Sequence, residues 1–215
     1  MLTVGENAIT LETDFSQSAE TYERVRRSYV ASAERNKLSY EMEIEPCYLI
    51  GDFGVRLNGT VTAGERNDFL FDGSFSLCEP TRRITLTEIE KQGYPFFAGT
   101  MTVTKEFDLD HTNYRLKLLR QGINAVEIAI NGQTVDTVLF MGDTVDCSGY
   151  LQKGRNTVTL KLIGNLRNML GPHHLAQECL RVKPALFYKE LCPWPGPYEW
   201  VEQYCFVNLS VQETE

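Results

Sequence analysis

The sequence predicts an all-β fold of two antiparallel layers packed face to face, and three observations carry that prediction. Apolar residues recur at every second position in many short runs. Turn-forming pairs such as Asn-Gly and Lys-Gly punctuate those runs at short spacing. Only 20–38 keeps helical spacing over more than two turns. Many short strands with few helices belong to sandwiches and barrels, in which half-buried faces seal one another.

Taken in order, 4–11 reads as a first strand and 12–18 as a polar connection. From 20 to 38, Tyr22, Val25, Tyr29, Val30 and Ala33 follow a helical period, so a surface helix is expected despite Ser and Thr. Leu38, Tyr40, Met42 and Ile44 alternate with polar neighbours, as a half-buried strand does, until Pro46 stops the run. Residues 47–57 read as a strand interrupted at Gly51-Asp52, and Asn58-Gly59 as a hairpin turn. The aromatic run 68–77 is a further strand, and 86–92 has room for one helical turn.

The clearest segment follows. Strands are expected at 101–109, 114–119, 123–130, 133–140, 156–163 and 203–211, with Lys153-Gly154 supplying the turn before Asn156. Asn131-Gly132 separates two alternating runs, and both residue types tolerate the positive φ of a type I′ turn. In that register Ile130 faces Gln133, Ile128 faces Val135 and Val126 faces Thr137, which puts Val126, Ile128, Ile130 and Val135 on the core face. Arg115 and Lys117 would protect the 114–119 strand if it lay at a sheet edge.

Composition narrows the function classes. The chain has 215 residues, 42% of them hydrophobic, enough for one all-β domain spanning 1–215. The net charge of −8 argues against nucleic acid, whose backbone demands clustered cations; Arg24, Arg26 and Arg27 form the one local basic group. No run approaches the ~20 apolar residues of a membrane span, and no export signal is visible, so a cytoplasmic protein without membrane partners is expected.

The six cysteines (Cys47, Cys78, Cys147, Cys179, Cys192 and Cys205) are expected as reduced thiols, because a domain of this size does not need a disulfide framework. His173, His174, Cys179, Cys192 and Cys205 are zinc-preferring types, yet they lack the closely spaced pairs from which zinc sites are built. Cys205 instead alternates with Val207, Leu209 and Val211, and reads as a small buried hydrophobe. No cofactor is required by the sequence. Asp143 and Asp146 flank a turn and read as ordinary turn residues. Asp108 and Asp110 sit in the same kind of turn, and no phosphate loop, HExxH or nucleophile elbow occurs.

Three segments together resemble a known family. The runs YPFFAGTMTVTKEFDL (94–109), NAVEIAINGQTVDTVLF (124–140) and GYLQKGRNTVTLKLIGNLRNMLGPHH (149–174) resemble the galactose-binding-like β-sandwich, a jelly roll with one or two short helices, of bacterial glycoside hydrolases. The likeness is to the sugar-binding or accessory domains of family 2 and α-L-rhamnosidase-type enzymes. Residues 6–11 and 45–55 resemble segments that lead into such modules. The ending at 200–211 resembles their last strand, but Asn208-Leu209-Ser210 stands where a Pro-Phe-Gly turn is common. A catalytic (β/α)₈ barrel takes about 250 residues, more than this chain holds, so the resemblance does not bring the hydrolase's carboxylates with it.

A long segment, 164–202, separates the last two expected strands and is rich in Pro, aromatics and polar groups. Trp194, Tyr198 and Trp200 are the candidates for stacking on a sugar ring, and Arg167, Asn168, His173 and His174 for hydrogen bonds to its hydroxyls. The competing expectation is that the tryptophans, flanked by Pro193, Pro195 and Pro197, fold back over an open sandwich end. The resemblance implies a non-catalytic carbohydrate-binding or accessory domain, with carbohydrate or a catalytic glycosidase chain as partner, and a structural Ca²⁺ held by turn carbonyls near Asp143 and Asp146. The alternatives are a glycoside hydrolase or fragment whose site is not visible, and a protein-interaction or scaffolding module.

Overall fold

The computed structural model describes residues 3–43, 47–64, 68–140, 144–170, 173–175 and 200–213. The chain divides into two compact units, 1–51 and 52–215. The first holds the helical residues, α1 (Ala19–Val30) and α2 (Ser32–Arg35), broken apart at Ala31 by an extended backbone. Ser18 caps α1, its Oγ accepting from the Thr21 N–H at 3.2 Å. Glu20 and Glu23 pair with Arg24, Arg26 and Arg27 along the helix, so the basic group is a neutralised, solvated face. The strands expected at 4–11 and 38–44 do not form: 3–18 and 38–43 are irregular, and Ile44 lies outside the described residues. Alternation alone stabilises no strand that lacks a hydrogen-bonded neighbour and a covering layer.

Among the described residues, every strand lies in the second unit. β1 (Gly54–Ala63) pairs with β2 (Asp68–Cys78), and a 3₁₀ turn (Ile89–Gln92) stands where one helical turn was expected. The Tyr94–Pro95 bond is trans. β3 (Thr100–Leu109), β4 (Arg115–Gln121), β5 (Ile123–Ile130), β6 (Gln133–Val138), β7 (Thr144–Asp146), β8 (Gly154–Gly164), β9 (His173–Leu175), β10 (Trp200–Val207) and β11 (Ser210–Glu213) follow. They form a four-stranded sheet ordered β3-β8-β5-β6, a three-stranded sheet β11-β4-β7 and a second four-stranded sheet β1-β2-β10-β9.

The expected antiparallel sandwich is present. Val126, Ile128, Ile130, Leu160 and Leu162 of the first sheet share one core with Leu118, Val145 and Val211 of the three-stranded sheet. Burying such side chains is worth about 1.5–3 kcal/mol each. A second cluster is aromatic: Phe69 on β2 stacks on its cross-strand partner Phe206 on β10 at 5.1 Å, with Phe71, Phe75, Phe96 and Tyr204 around them.

Three expectations need correction. Asn131 (φ 51°) and Gly132 (φ 81°) make the expected turn, and Ile130 does face Gln133. A bulge then shifts the ladder, so that Ile128 faces Asp136 and Val126 faces Val138. The extra residue leaves Val135 half-buried against the core and sends Val138 fully into it. Asn58-Gly59 is no turn but mid-strand: Gly59 faces Gly73, and a Cβ on Gly59 would lie 2.0 Å from the Asp72 carbonyl oxygen. Finally, β4 is no simple edge strand: β7 pairs it along 115–117, where Arg115 and Lys117 stand, and β11 along 118–121.

The expected last strand, 203–211, is split between two sheets. β10 ends at Val207 in the aromatic sheet and β11 starts at Ser210 in the sandwich. Between them Leu209 donates its N–H to Glu90 Oε2 at 2.7 Å and accepts from the Ile89 N–H at 2.9 Å, while the Val211 N–H reaches the Leu86 carbonyl at 2.7 Å. Glu90 is fully buried, and its Oε1 has no partner among the described residues. Burial pushes this carboxyl above the usual glutamate range, against the Leu209 hydrogen bond that favours the ionised form.

A group whose folded value exceeds its unfolded one, about 4.3, contributes most stability below that value and loses it as pH rises toward the folded one. The urea midpoint of the native chain is therefore expected to fall between about pH 4 and pH 7 more steeply than that of Glu90→Gln, which keeps an acceptor for Leu209 and cannot ionise. Parallel profiles for the two proteins would refute the assignment.

Candidate functional site

Of the sugar-contact candidates, His173 and His174 lie on β9 and Trp200 on β10 of the aromatic sheet, and Arg167 and Asn168 in the turn at 165–170. Trp194 and Tyr198 lie outside the described residues, and for His173, His174 and Trp200 only the backbone is described. His173 and His174 sit on β9, the outermost strand, a piece of regular structure inside a segment expected to be loop. His173 faces Cys205 and Leu175 faces Trp200, with a bulge between the two pairs.

The turn at 165–170 is tied to β10, the neighbour of β9. Asn168 is 2% exposed, and its side chain makes two hydrogen bonds to one residue: Nδ2 donates to the Val207 carbonyl at 2.9 Å and Oδ1 accepts the Val207 N–H at 3.0 Å. The amide thus takes the place of a neighbouring strand, and it is not free to meet a ligand hydroxyl. Asn165 fixes the other end of the turn, donating to the Gly122 carbonyl at 3.0 Å and accepting the Arg167 N–H at 2.9 Å. Arg167 is half-buried on this frame.

The expected calcium ligands divide. Asp143 lies outside the described residues. Asp146 spends its Oδ1 on Ser148, accepting from the backbone N–H at 3.0 Å and from Oγ at 2.5 Å, which holds its carboxyl below the usual range. Among the described residues no group of three metal-ligating side chains converges. Cys78 and Cys147 are free thiols, Cys205 is buried as expected, and Cys179 and Cys192 lie outside the described residues.

Sequence reasoning missed a cavity of about 560 Å³ between the two layers of the sandwich. Its interior is aliphatic, with Val103, Leu116, Leu118, Leu160 and Val211 among the lining, and its mouth carries Lys105, Tyr114, Arg115 and Glu213. The signal was in the sequence. On β3 the inward positions read Met101, Val103, Lys105, Phe107, Leu109, and one lysine interrupts an otherwise apolar stripe. Cys147 lies against the cavity, its thiol raised by burial.

Fold and geometry define an antiparallel β-sandwich with an aromatic third sheet, a tied-down turn beside an edge strand, and an apolar interlayer cavity. No protein-family model and no curated protein matches this sequence. Among solved structures the chain is similar to a rhamnosidase from Novosphingobium sp. PP1Y, at 16% identity and a TM-score of 0.34 over 79% of this chain and 16% of that one. It is also similar to a β-D-glucuronidase from Dictyoglomus thermophilum, at 14% identity and a TM-score of 0.31 over 76% of this chain and 29% of that one. The chain spans less than a third of either. No helix among the described residues is long and apolar enough to cross a membrane.

Asn168→Ala is expected to cost about 1–3 kcal/mol in chemical denaturation, because it strands the N–H and carbonyl of Val207 at once. A cost below about 0.5 kcal/mol would mean that water replaces the amide without penalty.

Proposed function

We propose that this chain is a non-catalytic carbohydrate-binding or accessory domain whose ligand edge is made by the 165–170 turn and β9. The observation that carries the reading is the tie between Asn168 and Val207. It anchors the turn to β10 two residues from Cys205, the backbone partner of His173, which supports a reading in which Arg167, His173 and His174 serve one ligand edge. A shallow polar site needs such pre-positioned donors, since ordering loose side chains would consume the small affinity that a sugar's hydroxyls provide. The resemblance of 94–109, 124–140 and 149–174 to sugar-binding sandwiches supports the same reading.

Binding in the micromolar to millimolar range, roughly −8 to −4 kcal/mol, is expected. Titration of a monosaccharide panel, followed by ligand-observed NMR, should show saturable binding that the His173→Ala/His174→Ala double variant weakens about fivefold or more at unchanged thermal stability. The reading fails if no sugar saturates below about 10 mM. It fails equally if a chromogenic glycoside is turned over and a single carboxylate-to-amide change abolishes the turnover, because the chain would then be a glycosidase.

A further inference from the structure

We propose that the cavity between the sandwich layers binds an amphipathic monoanion, an aliphatic carboxylate whose chain fills the apolar interior and whose carboxylate pairs with Lys105 at the mouth. The residues involved are separate from the turn and β9 edge, so this inference does not depend on the sugar reading.

The cavity follows from unequal layers. The three-stranded sheet faces a four-stranded one, and the coverage runs short at β3, the edge strand. Val126 and Ile128 at the centre of the larger sheet are fully buried. Met101, Val103, Phe107 and Leu109, on the inner face of β3, are only half-buried. The resulting volume of about 560 Å³ lies within the roughly 300–1,000 Å³ of small-molecule sites.

The lining chemistry selects the ligand. An interior of Leu, Val, Ile and Phe offers no directed partner for a polyhydroxylated ring and full burial to an alkyl chain. Polarity is confined to the rim, where Thr104, Lys105, Tyr114, Arg115 and Glu213 line the opening and all are exposed. Two cations stand there against one carboxylate. Arg115 lies close enough to Asp146 to help depress that carboxyl, so part of its charge is already answered. Lys105 has no ion-pair partner among the described residues. A lysine on the inner face of an edge strand also discourages edge-to-edge pairing. That role alone places no requirement on the cavity beside it, and the test separates the two.

Calorimetric titration of the full chain with straight-chain carboxylates of six to twelve carbons, and with the matching primary alcohols, reads the proposal directly. Each added methylene is expected to tighten carboxylate binding about fourfold until the cavity is full, after which the gain stops. Lys105→Met is expected to weaken the carboxylates about fivefold and leave the alcohols within about twofold. Val103→Phe, which fills the interior, is expected to abolish both. Should Val103→Phe lose its native circular dichroism, Lys105→Glu serves instead: its change is at an exposed position, and it is expected to remove carboxylate binding while alcohol binding survives. The proposal is overturned if decanoate shows no saturable binding below about 1 mM. It is also overturned if carboxylates and alcohols bind alike and neither responds at Lys105.

Discussion

The structure depends on one crossing, the passage of the chain from β10 to β11. A strand that leaves one sheet and enters another must abandon its ladder for a few residues, and every N–H and carbonyl released there inside the protein has to find a partner. Here the replacements come from far along the chain. Asn168 serves both backbone groups of Val207, Glu90 and Ile89 serve Leu209, and Leu86 serves Val211. The crossing can therefore run through the interior, and the aromatic sheet and the sandwich are held together by the polar side chains that satisfy it. Glu90 is the weakest member, since a fully buried carboxylate with one unpartnered oxygen is tolerated only because the hydrogen bond it accepts cannot be supplied by an apolar residue.

The same crossing positions both candidate sites. On one side it anchors the 165–170 turn beside β9, which makes an edge strand with a rigid neighbour. On the other it delivers β11 to the sandwich, where Val211 and Glu213 form part of the cavity wall. β11 pairs with β4 over only four residues, so the smaller layer stays narrow and the inner face of β3 stays half-covered. The cavity is thus a consequence of topology rather than of large-to-small substitutions within a complete core.

Much of the second unit was legible in the sequence because its signals are local. Alternation located β2, β3, β5, β8 and most of β4 and β6, and Asn131-Gly132 placed the hairpin, since a type I′ turn needs nothing beyond its own two residues. Asn58-Gly59 shows the limit of that logic. The same dipeptide sits mid-strand, because Gly73 opposite it lets two backbones approach more closely than any side chain would permit. The bulge after Ile128 was equally hidden, as an extra residue in a ladder is decided by what each strand must bury and not by the turn. In the first unit, alternation at 4–11 and 38–44 suggested strands that no partner stabilises. At the candidate edge, Asn168 has the composition of a ligand-binding residue, and only its position against Val207 reveals that its amide is already used.

The sequence by itself determined that the chain would be built of antiparallel strands, where most of them run, and which faces they bury, because periodicity and turn chemistry act within a few residues. Tertiary structure alone decided which sheet each strand joins, that 203–211 divides between two of them, and that an apolar cavity remains between the layers. Those outcomes rest on partners far apart in the chain, Cys205 and Asp68, 137 positions apart, being one such pair. A contact over that distance is selected by packing and by the demand that buried polar groups be satisfied, neither of which leaves a local mark in the sequence.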